Sequence, residues 1–259
     1  MNYGKSIWKL RYFWLSLVRV DLRTRYRRSY LGIGWSLLHP LAMTAVICTV
    51  FVNLFRLDIT EFGPSLLAGF CFWNFLTACT SQGCTCFYQG ESYIRQFPAP
   101  MAIYPLRVVL GAGFHFLFAL SVVVLLRWGL KGFDNLTALT SIIPTLMLLF
   151  LFGWAVATIV AFTNVYFPDT QHISEVGLQM LFYMTPIIYP ASMLTDRGYG
   201  WLIKVNPFAN LLELVRTPIL AGEIPALSAI VIASATTAGF CGIALFLLFR
   251  FERKIIFQL

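Results

Sequence analysis

The sequence predicts an all-α membrane protein that crosses the bilayer several times. Hydrophobic residues make up 59% of the chain and charged residues 12%, whereas soluble domains contain about 45–50% and about 25%. The apolar residues are concentrated in six stretches of about 20 residues, the helix length that a hydrocarbon core of about 30 Å requires. Membrane β-strands would instead alternate in segments of roughly ten residues. The stretches are therefore predicted to be transmembrane helices.

Residues 1–34 precede the first stretch and form a basic, amphipathic segment. Eight of the nineteen Lys and Arg residues lie here, against the single acid Asp21. Trp, Leu and Phe residues recur between them at spacings that gather them on one face of a helix. A basic helix with such a face is typical of the membrane surface, and its aromatic rings favour that location over water. We predict an interfacial helical segment, residues 1–34, and a membrane domain, residues 35–259.

Six spans are predicted in the membrane domain. They cover residues 36–55, 64–87, 103–126, 139–162, 173–189 and 226–249. The polar segment 89–100 is predicted to be a loop outside the lipid. The segment 190–225 is too long for a plain connection. Its apolar runs predict two short helices that re-enter the membrane or lie along its outer interface.

The distribution of positive charge predicts the orientation in the membrane. With the N-terminus in the cytoplasm, thirteen of the nineteen Lys and Arg residues fall on the cytoplasmic side. Cytoplasmic segments of membrane proteins carry such an excess. Six spans return the chain to the side on which it began. Both termini are therefore expected in the cytoplasm.

The spans contain few ionisable groups. His115, in the middle of the third span, is the clearest case, and a lone histidine at this depth is more often hydrogen-bonded between helices than part of a proton relay. Ion-coupled transport usually leaves more buried charges. We also find no internal repeat of the kind that secondary transporters contain. Both observations argue against an ion-coupled transporter.

The chain lacks the sequence features of catalysis. It has no Gly-x-x-x-x-Gly-Lys-Ser/Thr loop, which excludes nucleotide hydrolysis by that route. Asp169 and His172 are the only polar pair at an interface, too little for an enzyme that modifies lipid. Cys84 and Cys86 have no His or acidic partner at metal-ligand spacing and are interpreted as small buried residues. We expect no catalytic residue, metal or cofactor in this chain.

Residues 21–40 carry a motif that resembles a known family. Type-2 ABC transporter permeases that export polysaccharides have an R-x-R-Y-x-x-S-x-L-G-x-x-W-x-x-x-x-P pattern near the N-terminus. The chain matches it at Arg23, Arg25, Tyr26, Ser29, Leu31, Gly32, Trp35 and Pro40. The segments 164–169, 183–189 and 206–208 also agree, so the resemblance extends along essentially the whole chain.

The resemblance implies the permease subunit of an exporter. Members of this family form homodimers joined to two copies of a separate ATPase, which binds the ATP and magnesium. They export a glycan such as an O-antigen or teichoic-acid precursor, linked to a polyprenyl pyrophosphate, across the inner (plasma) membrane of a bacterium. Membrane lipid is the remaining partner, and no nucleic acid is expected. A type-2 permease for a drug or another lipid, and an integral-membrane enzyme that modifies lipid or glycan, are the alternatives.

Three sets of residues are predicted to carry this function. Guanidinium groups bind pyrophosphate bidentately, so the headgroup is assigned to Arg23, Arg25, Arg27 and Arg28. The same cluster would also serve as a plain topological anchor. The motion of the ATPase would be received by Glu91, Tyr93, Arg95 and Phe97.

The glycan path is the third set. Aromatic rings stack on sugars, although they also pack helices or face lipid, and Tyr and Trp add a polar group. The path is predicted at Trp73, Tyr183, Tyr189, Phe72 and Phe182.

Overall fold

The computed structural model describes residues 3–97, 99–132, 135–255 and 258, and within these ranges the chain forms helices and no strands. The all-α prediction is confirmed. The helices are α1 (Tyr3–Lys9), α2 (Arg11–Arg25), α3 (Trp35–Phe55), α4 (Ile59–Gln96), α5 (Ile103–Lys131), α6 (Leu136–Leu139), α7 (Ile142–Tyr166), α8 (Thr170–Met184), α9 (Ser192–Thr195), α10 (Gly200–Val205), α11 (Pro207–Arg216) and α12 (Leu227–Ile255). A 3-10 turn (Gly32–Gly34) precedes α3, and a π-helical turn (Thr217–Ala221) continues α11.

Five helices are long and apolar enough to cross a membrane: α3, α4, α5, α7 and α12. They correspond to the first, second, third, fourth and sixth predicted spans. Length and composition therefore support a polytopic membrane protein. In the described part of the chain, α1 at one terminus contacts α12 at the other through the Tyr3 hydroxyl, which donates to Glu252 Oε1 at 2.7 Å. Both termini thus lie at the same end of the bundle.

The fifth predicted span differs from the structure. Helix α8 has 15 residues, about 22 Å at 1.5 Å per residue, which is less than a hydrocarbon core of about 30 Å. Thr185 is extended, with ψ of 134°, because the residue before a proline avoids the helical region and Pro186 follows. The chain then continues through α9, α10 and α11. The predicted span 173–189 is helical only as far as Met184.

Helix α4 is the central helix of the bundle. Its 38 residues give a length of about 57 Å. The Asp58 side chain caps its N-terminus by accepting a hydrogen bond from the Thr60 amide at 2.9 Å. The helix continues through residues 89–96, so the prediction of a loop is wrong for this part of the segment, which forms the last turns of α4 and not a separate short helix. The chain leaves the helix only at Phe97, which is extended.

The core forms where α4 packs against α5 and α7. The backbones of α4 and α7 approach closely at Gly83, where an added Cβ would lie 2.9 Å from the Cα of Ala157. Asn164 on α7 donates to the Cys84 carbonyl at 2.8 Å one residue further along. Small residues allow helix backbones to approach each other in membranes. Gly83 and Asn164 therefore hold α4 against the C-terminal half of α7.

Helix α11 lies inside the bundle. Asn206 accepts hydrogen bonds from the amides of Phe208 (2.9 Å) and Ala209 (3.4 Å), a side-chain cap, and Pro207 occupies the first helical position, where it is tolerated. Leu211 and Leu212 are buried in the same core as α4. The two short helices predicted within 190–225 are α10 and α11, and the four-residue α9 precedes them.

The N-terminal segment consists of two helices. Leu17 and Val18 of α2 are buried, and α2 packs against α5. Asp21 receives two hydrogen bonds from the guanidinium of Arg107 on α5, a bidentate pair of the kind that arginine favours. This pair fixes the C-terminal end of α2 beside α5.

Candidate functional site

One side of α4, a helix long and apolar enough to cross a membrane, carries a row of polar residues. They recur every three or four residues, the spacing that places side chains on one helix face. We define this polar face of α4 as Asn74, Thr77, Ser81, Gln82, Thr85 and Gln89. All six are exposed or partly exposed, whereas most residues around them are buried. Polar groups are costly in contact with lipid, so this face requires a polar environment.

Two adjoining cavities lie against this face, with volumes of about 340 Å³ and 330 Å³. Both are lined by Arg25, Gln82 and His115. The first also reaches Asn74 on α4 and His39 on α3, both of which are exposed. The second extends towards the Asp21–Arg107 pair and is lined by Arg107, Asp21, Gln89 and Thr24 among others. Together we call them the inner cavity.

Three side chains from different elements meet beside the inner cavity, and two of them, Ser36 and His115, line it. Tyr26, after α2, and Ser36, at the start of α3, share a hydrogen bond of 2.5 Å between their hydroxyls. His115 Nδ1 lies 3.0 Å from Ser36 Oγ and 3.1 Å from the Tyr26 hydroxyl. The expectation that His115 is hydrogen-bonded between helices is confirmed. We call Tyr26, Ser36 and His115 the hydroxyl–imidazole cluster.

The four predicted headgroup arginines have different surroundings. Arg23 and Arg25 belong to the last turn of α2, while Arg27 and Arg28 follow it, and all four are exposed. Arg28 adopts a positive φ of 66°, which marks the tight turn that leads towards α3. Only Arg25 lines the inner cavity. Of the four predicted headgroup arginines, Arg25 alone is therefore placed to contact a ligand in the inner cavity.

The predicted glycan-path aromatics divide into two groups. Phe72 is fully buried, and Trp73 is 7% exposed, with its ring 5.5 Å from that of Phe182. These three pack helices within the subunit. Tyr183, on α8, is 59% exposed. The hydroxyl of Tyr189 donates a hydrogen bond to the backbone carbonyl of Tyr183 at 2.9 Å. Of the five, Tyr183 has the most accessible ring.

The predicted coupling residues form the C-terminal turns of α4. Arg95 Nε donates to Glu91 at 2.8 Å, one helical turn apart. The ring of Phe13 on α2 lies 6.0 Å from the rings of both Tyr93 and Phe97. The segment therefore packs against the N-terminal helix instead of standing free as a loop.

Glu252, near the end of α12, joins three elements, a role that the sequence did not predict. Its Oε1 accepts hydrogen bonds from the Tyr3 hydroxyl at 2.7 Å and from the Met101 amide at 2.8 Å. The Tyr3 oxygen in turn accepts from the Ala102 amide at 3.4 Å. Burial, with the hydrogen bond to Glu252, raises the pKa of Tyr3 above its ordinary value. Both chain ends are thus attached to the turn between α4 and α5.

A third cavity of about 530 Å³ lies at the opposite end of the bundle. Its lining includes Asp58, Glu61, Tyr189, Glu213 and Arg216. Lys131 donates to Glu61 at 2.6 Å, and hydrogen bonds from the Thr60 hydroxyl and amide lower the pKa of Asp58. We call this the outer cavity.

Arg216 closes the gap that the end of α8 leaves. Its guanidinium donates to the carbonyls of Ser65 (3.0 Å), Pro186 (2.6 Å) and Ile187 (3.3 Å). Gly69 makes the space, because an added Cβ would lie 2.5 Å from Arg216 Nη2. Because α8 ends at Met184, the carbonyls of Pro186 and Ile187 have no helical partner, and buried carbonyls need partners. The sequence could not predict this role, because nothing in it distinguishes Arg216 from the other basic residues of the 190–225 segment, Arg197 and Lys204.

The other residues that could bind a metal or take part in catalysis lie apart from one another. Within the ranges that the structure describes, no three His, Cys, Asp or Glu side chains come together as a metal site. Cys84 and Cys86 are buried free thiols. His172 lies 3.9 Å from Glu175 at an exposed position.

Comparison with known proteins agrees with this architecture. The ABC-2 type transporter family model matches residues 12–220. The O-antigen export system permease protein RfbA of Klebsiella pneumoniae is 26% identical over 192 residues, covering 74% of each chain. RfbA of Myxococcus xanthus is 27% identical over 210 residues, covering 80% of each. The polysialic acid transport protein KpsM of Escherichia coli is 20% identical over 210 residues, covering 79% of this chain and 80% of KpsM. Since the family model covers most of the sequence, the chain belongs to the ABC-2 type transporter family.

Proposed function

We propose that this chain is the membrane-spanning permease subunit of an ATP-driven exporter of a lipid-linked polysaccharide. The relatives named as O-antigen export permeases and as a polysialic acid transport protein support a polysaccharide substrate. The chain acts as a homodimer, in the inner membrane of a bacterium, with two copies of a separate ATPase subunit that binds ATP and magnesium. The glycan is carried on a polyprenyl pyrophosphate.

The polar face of α4 is the observation on which this proposal chiefly rests. A glycan is rich in hydroxyl groups and needs hydrogen-bonding partners when it leaves water. The hydroxyl and amide groups of the polar face, including Ser81 and Gln82, supply such partners along the membrane-spanning part of α4. They carry no charge and so suit a neutral or weakly charged polymer. The exposed Tyr183 ring adds a stacking surface.

The arrangement of the termini supports cytoplasmic coupling. Residues 91–97 lie at the same end of the bundle as Tyr3 and Glu252, because Glu252 binds the Met101 amide in the turn that follows. That end carries the predicted excess of positive charge and is assigned to the cytoplasm. The ATPase subunit binds there, and its motion reaches the membrane through α4.

The proposal predicts a specific defect in cells that lack this chain. Surface polysaccharide should disappear, and the polyprenyl pyrophosphate-linked glycan should accumulate on the cytoplasmic side. Complementation with Ser81→Leu should restore export poorly, because leucine removes a hydroxyl from the polar face. Ser121→Leu is the matched control, since Ser121 is exposed on α5 and hydrogen-bonds only within its own helix, to the Phe118 carbonyl.

Surface glycan is measured by gel analysis and carrier-linked glycan by lipid extraction. Normal surface polysaccharide in the deletion strain, with no accumulated carrier, would refute the proposed function. Equal export by the two leucine variants would leave the function standing but remove the polar face from the path.

A further inference from the structure

The inner cavity contains polar side chains that this chain leaves without hydrogen-bond partners. Within the described residues, no side-chain hydrogen bond is formed by Arg25, Asn74 or Gln82, although all three line the cavity. Buried or membrane-embedded polar groups are normally satisfied by protein, water or ligand. Their convergence on one space between α2, α4 and α5 therefore indicates a hydrated or occupied site, beyond the packing role of His115.

The charges around the cavity leave one free cation among the residues that the structure describes there. Arg107 is neutralised by Asp21, with which it forms a bidentate pair. Arg25 lines both parts of the cavity and takes part in no ion pair within the described ranges. A guanidinium presents a planar set of donors that matches phosphate geometry. Arg25 is thus suited to a phosphate group at the cytoplasmic side of the cavity.

The other lining groups suit a sugar. Ser36 and His115 of the hydroxyl–imidazole cluster line the cavity with the amides of Asn74 and Gln82. These groups both donate and accept hydrogen bonds, as sugar hydroxyls do. The cavity parts, of about 340 Å³ and 330 Å³, lie at the small end of the roughly 300–1,000 Å³ of small-molecule pockets. Their size fits a headgroup with its first sugar and excludes a folded polymer.

We propose that the inner cavity is the binding site for the sugar-pyrophosphate headgroup of the polyprenyl-linked substrate. Arg25 binds the pyrophosphate, while the hydroxyl–imidazole cluster, Gln82 and Asn74 bind the sugar attached to it. This inference rests on the proposed function and narrows it. It replaces the four-arginine headgroup site with one arginine of the N-terminal motif and a set of neutral groups, of which Asn74, Gln82 and His115 lie outside that motif.

Binding to the full chain in lipid nanodiscs tests the site. The probes are a radiolabelled polyprenyl pyrophosphate that carries one N-acetylglucosamine and the same carrier without the sugar. Gln82→Leu should weaken binding of the sugar-bearing probe by about tenfold, the value of one hydrogen bond of roughly 1.4 kcal/mol, and leave the bare carrier unaffected. Arg25→Ala should weaken both probes. Arg19→Ala, on an exposed part of the same helix, is the charge-matched control and should change neither.

His115→Phe provides a second test of the sugar half, since it removes the ring nitrogens but fills similar space. It should lower affinity only for the sugar-bearing probe. Gln82→Leu keeps the test valid should the histidine variant fail to fold, because the Gln82 side chain forms no hydrogen bond within the described chain.

The outcomes separate the inference from the function. Wild-type protein that binds neither probe would refute the proposed function. Wild-type binding that persists unchanged in Arg25→Ala and Gln82→Leu would overturn the headgroup site alone. A soluble nucleotide sugar that displaces the lipid-linked probe at equal concentration would assign the site to a soluble sugar phosphate, and would overturn the lipid headgroup as its ligand.

Discussion

The contact between Gly69 and Arg216 gives a stability prediction that depends on a single methyl group. In Gly69→Ala the new Cβ would lie 2.5 Å from Arg216 Nη2 and 2.9 Å from Ile187 Cγ2. Both distances are shorter than atoms tolerate, and the guanidinium is held on three carbonyls. The side chain must therefore leave at least the Ile187 carbonyl, and the segment after α8 must move with it.

The expected cost follows from the bonds that are lost. A hydrogen bond to a charged group contributes about 1.5–3 kcal/mol, and a buried charge that loses its partners costs about 3–5 kcal/mol. We expect Gly69→Ala to lower the free energy of unfolding by about 3–5 kcal/mol. Gly239→Ala is the matched control, because an added Cβ there meets nothing within 4 Å. Replacing a helical glycine by alanine should stabilise the control by up to about 1 kcal/mol.

The assay is unfolding of the purified protein in mixed micelles of dodecyl maltoside and SDS, followed by circular dichroism. Combining Gly69→Ala with Arg216→Met removes the clash and the charge together, so the double variant should be less destabilised than the sum of the two single variants. Strict additivity, or a Gly69→Ala variant as stable as Gly239→Ala, would refute the role assigned to Arg216.

Three other predictions concern coupling, the glycan path and the energy source. Tyr3→Phe removes a hydrogen bond to Glu252 and should lower ATP-dependent export more than it lowers assembly with the ATPase; equal losses in both measurements would count against a positioning role. Trp73→Ala should destabilise the subunit by about 3–5 kcal/mol as a buried aromatic, whereas Tyr183→Ala should reduce export with unfolding unchanged. Normal export by the Tyr183 variant would place the path elsewhere. The purified chain alone should hydrolyse no ATP, and robust hydrolysis without a second subunit would contradict the proposed division of labour.

Much of the fold was readable from the sequence because the membrane imposes strong composition rules. Five of the six predicted spans are helices of spanning length. The fifth span was predicted too long because Ile187, which lies beyond the break at Pro186, is as apolar as a residue that faces lipid. In the structure Ile187 is instead buried by protein, at 1% exposure. The helical end of α4 was missed because polarity was equated with a loop, and a helix that leaves the lipid can continue into water.

The candidate site was harder to predict from the sequence, because it depends on contacts between residues that are far apart along the chain. The N-terminal arginines are equivalent in sequence, and only the packing of α2 on α5 places Arg25 at the inner cavity. The polar face of α4 follows helical spacing and could have been found, but hydroxyl residues are common enough in membrane helices to escape notice. Glu252 could not have been found, since Met101 is 151 positions away and Tyr3 is 249.

The length of α4, together with its close contact at Gly83, has a mechanical consequence. Gly83 divides the helix Ile59–Gln96 into an arm of about 36 Å towards Ile59 and an arm of about 20 Å towards Gln96. A rigid rod that tilts about that contact behaves as an unequal lever, so each ångström of displacement at Gln96 becomes about 1.8 Å at Ile59. Under the proposed function, a small displacement that the ATPase subunit delivers at Gln96 is thereby enlarged at the other end of α4, where the outer cavity and the end of α8 adjoin the longer arm.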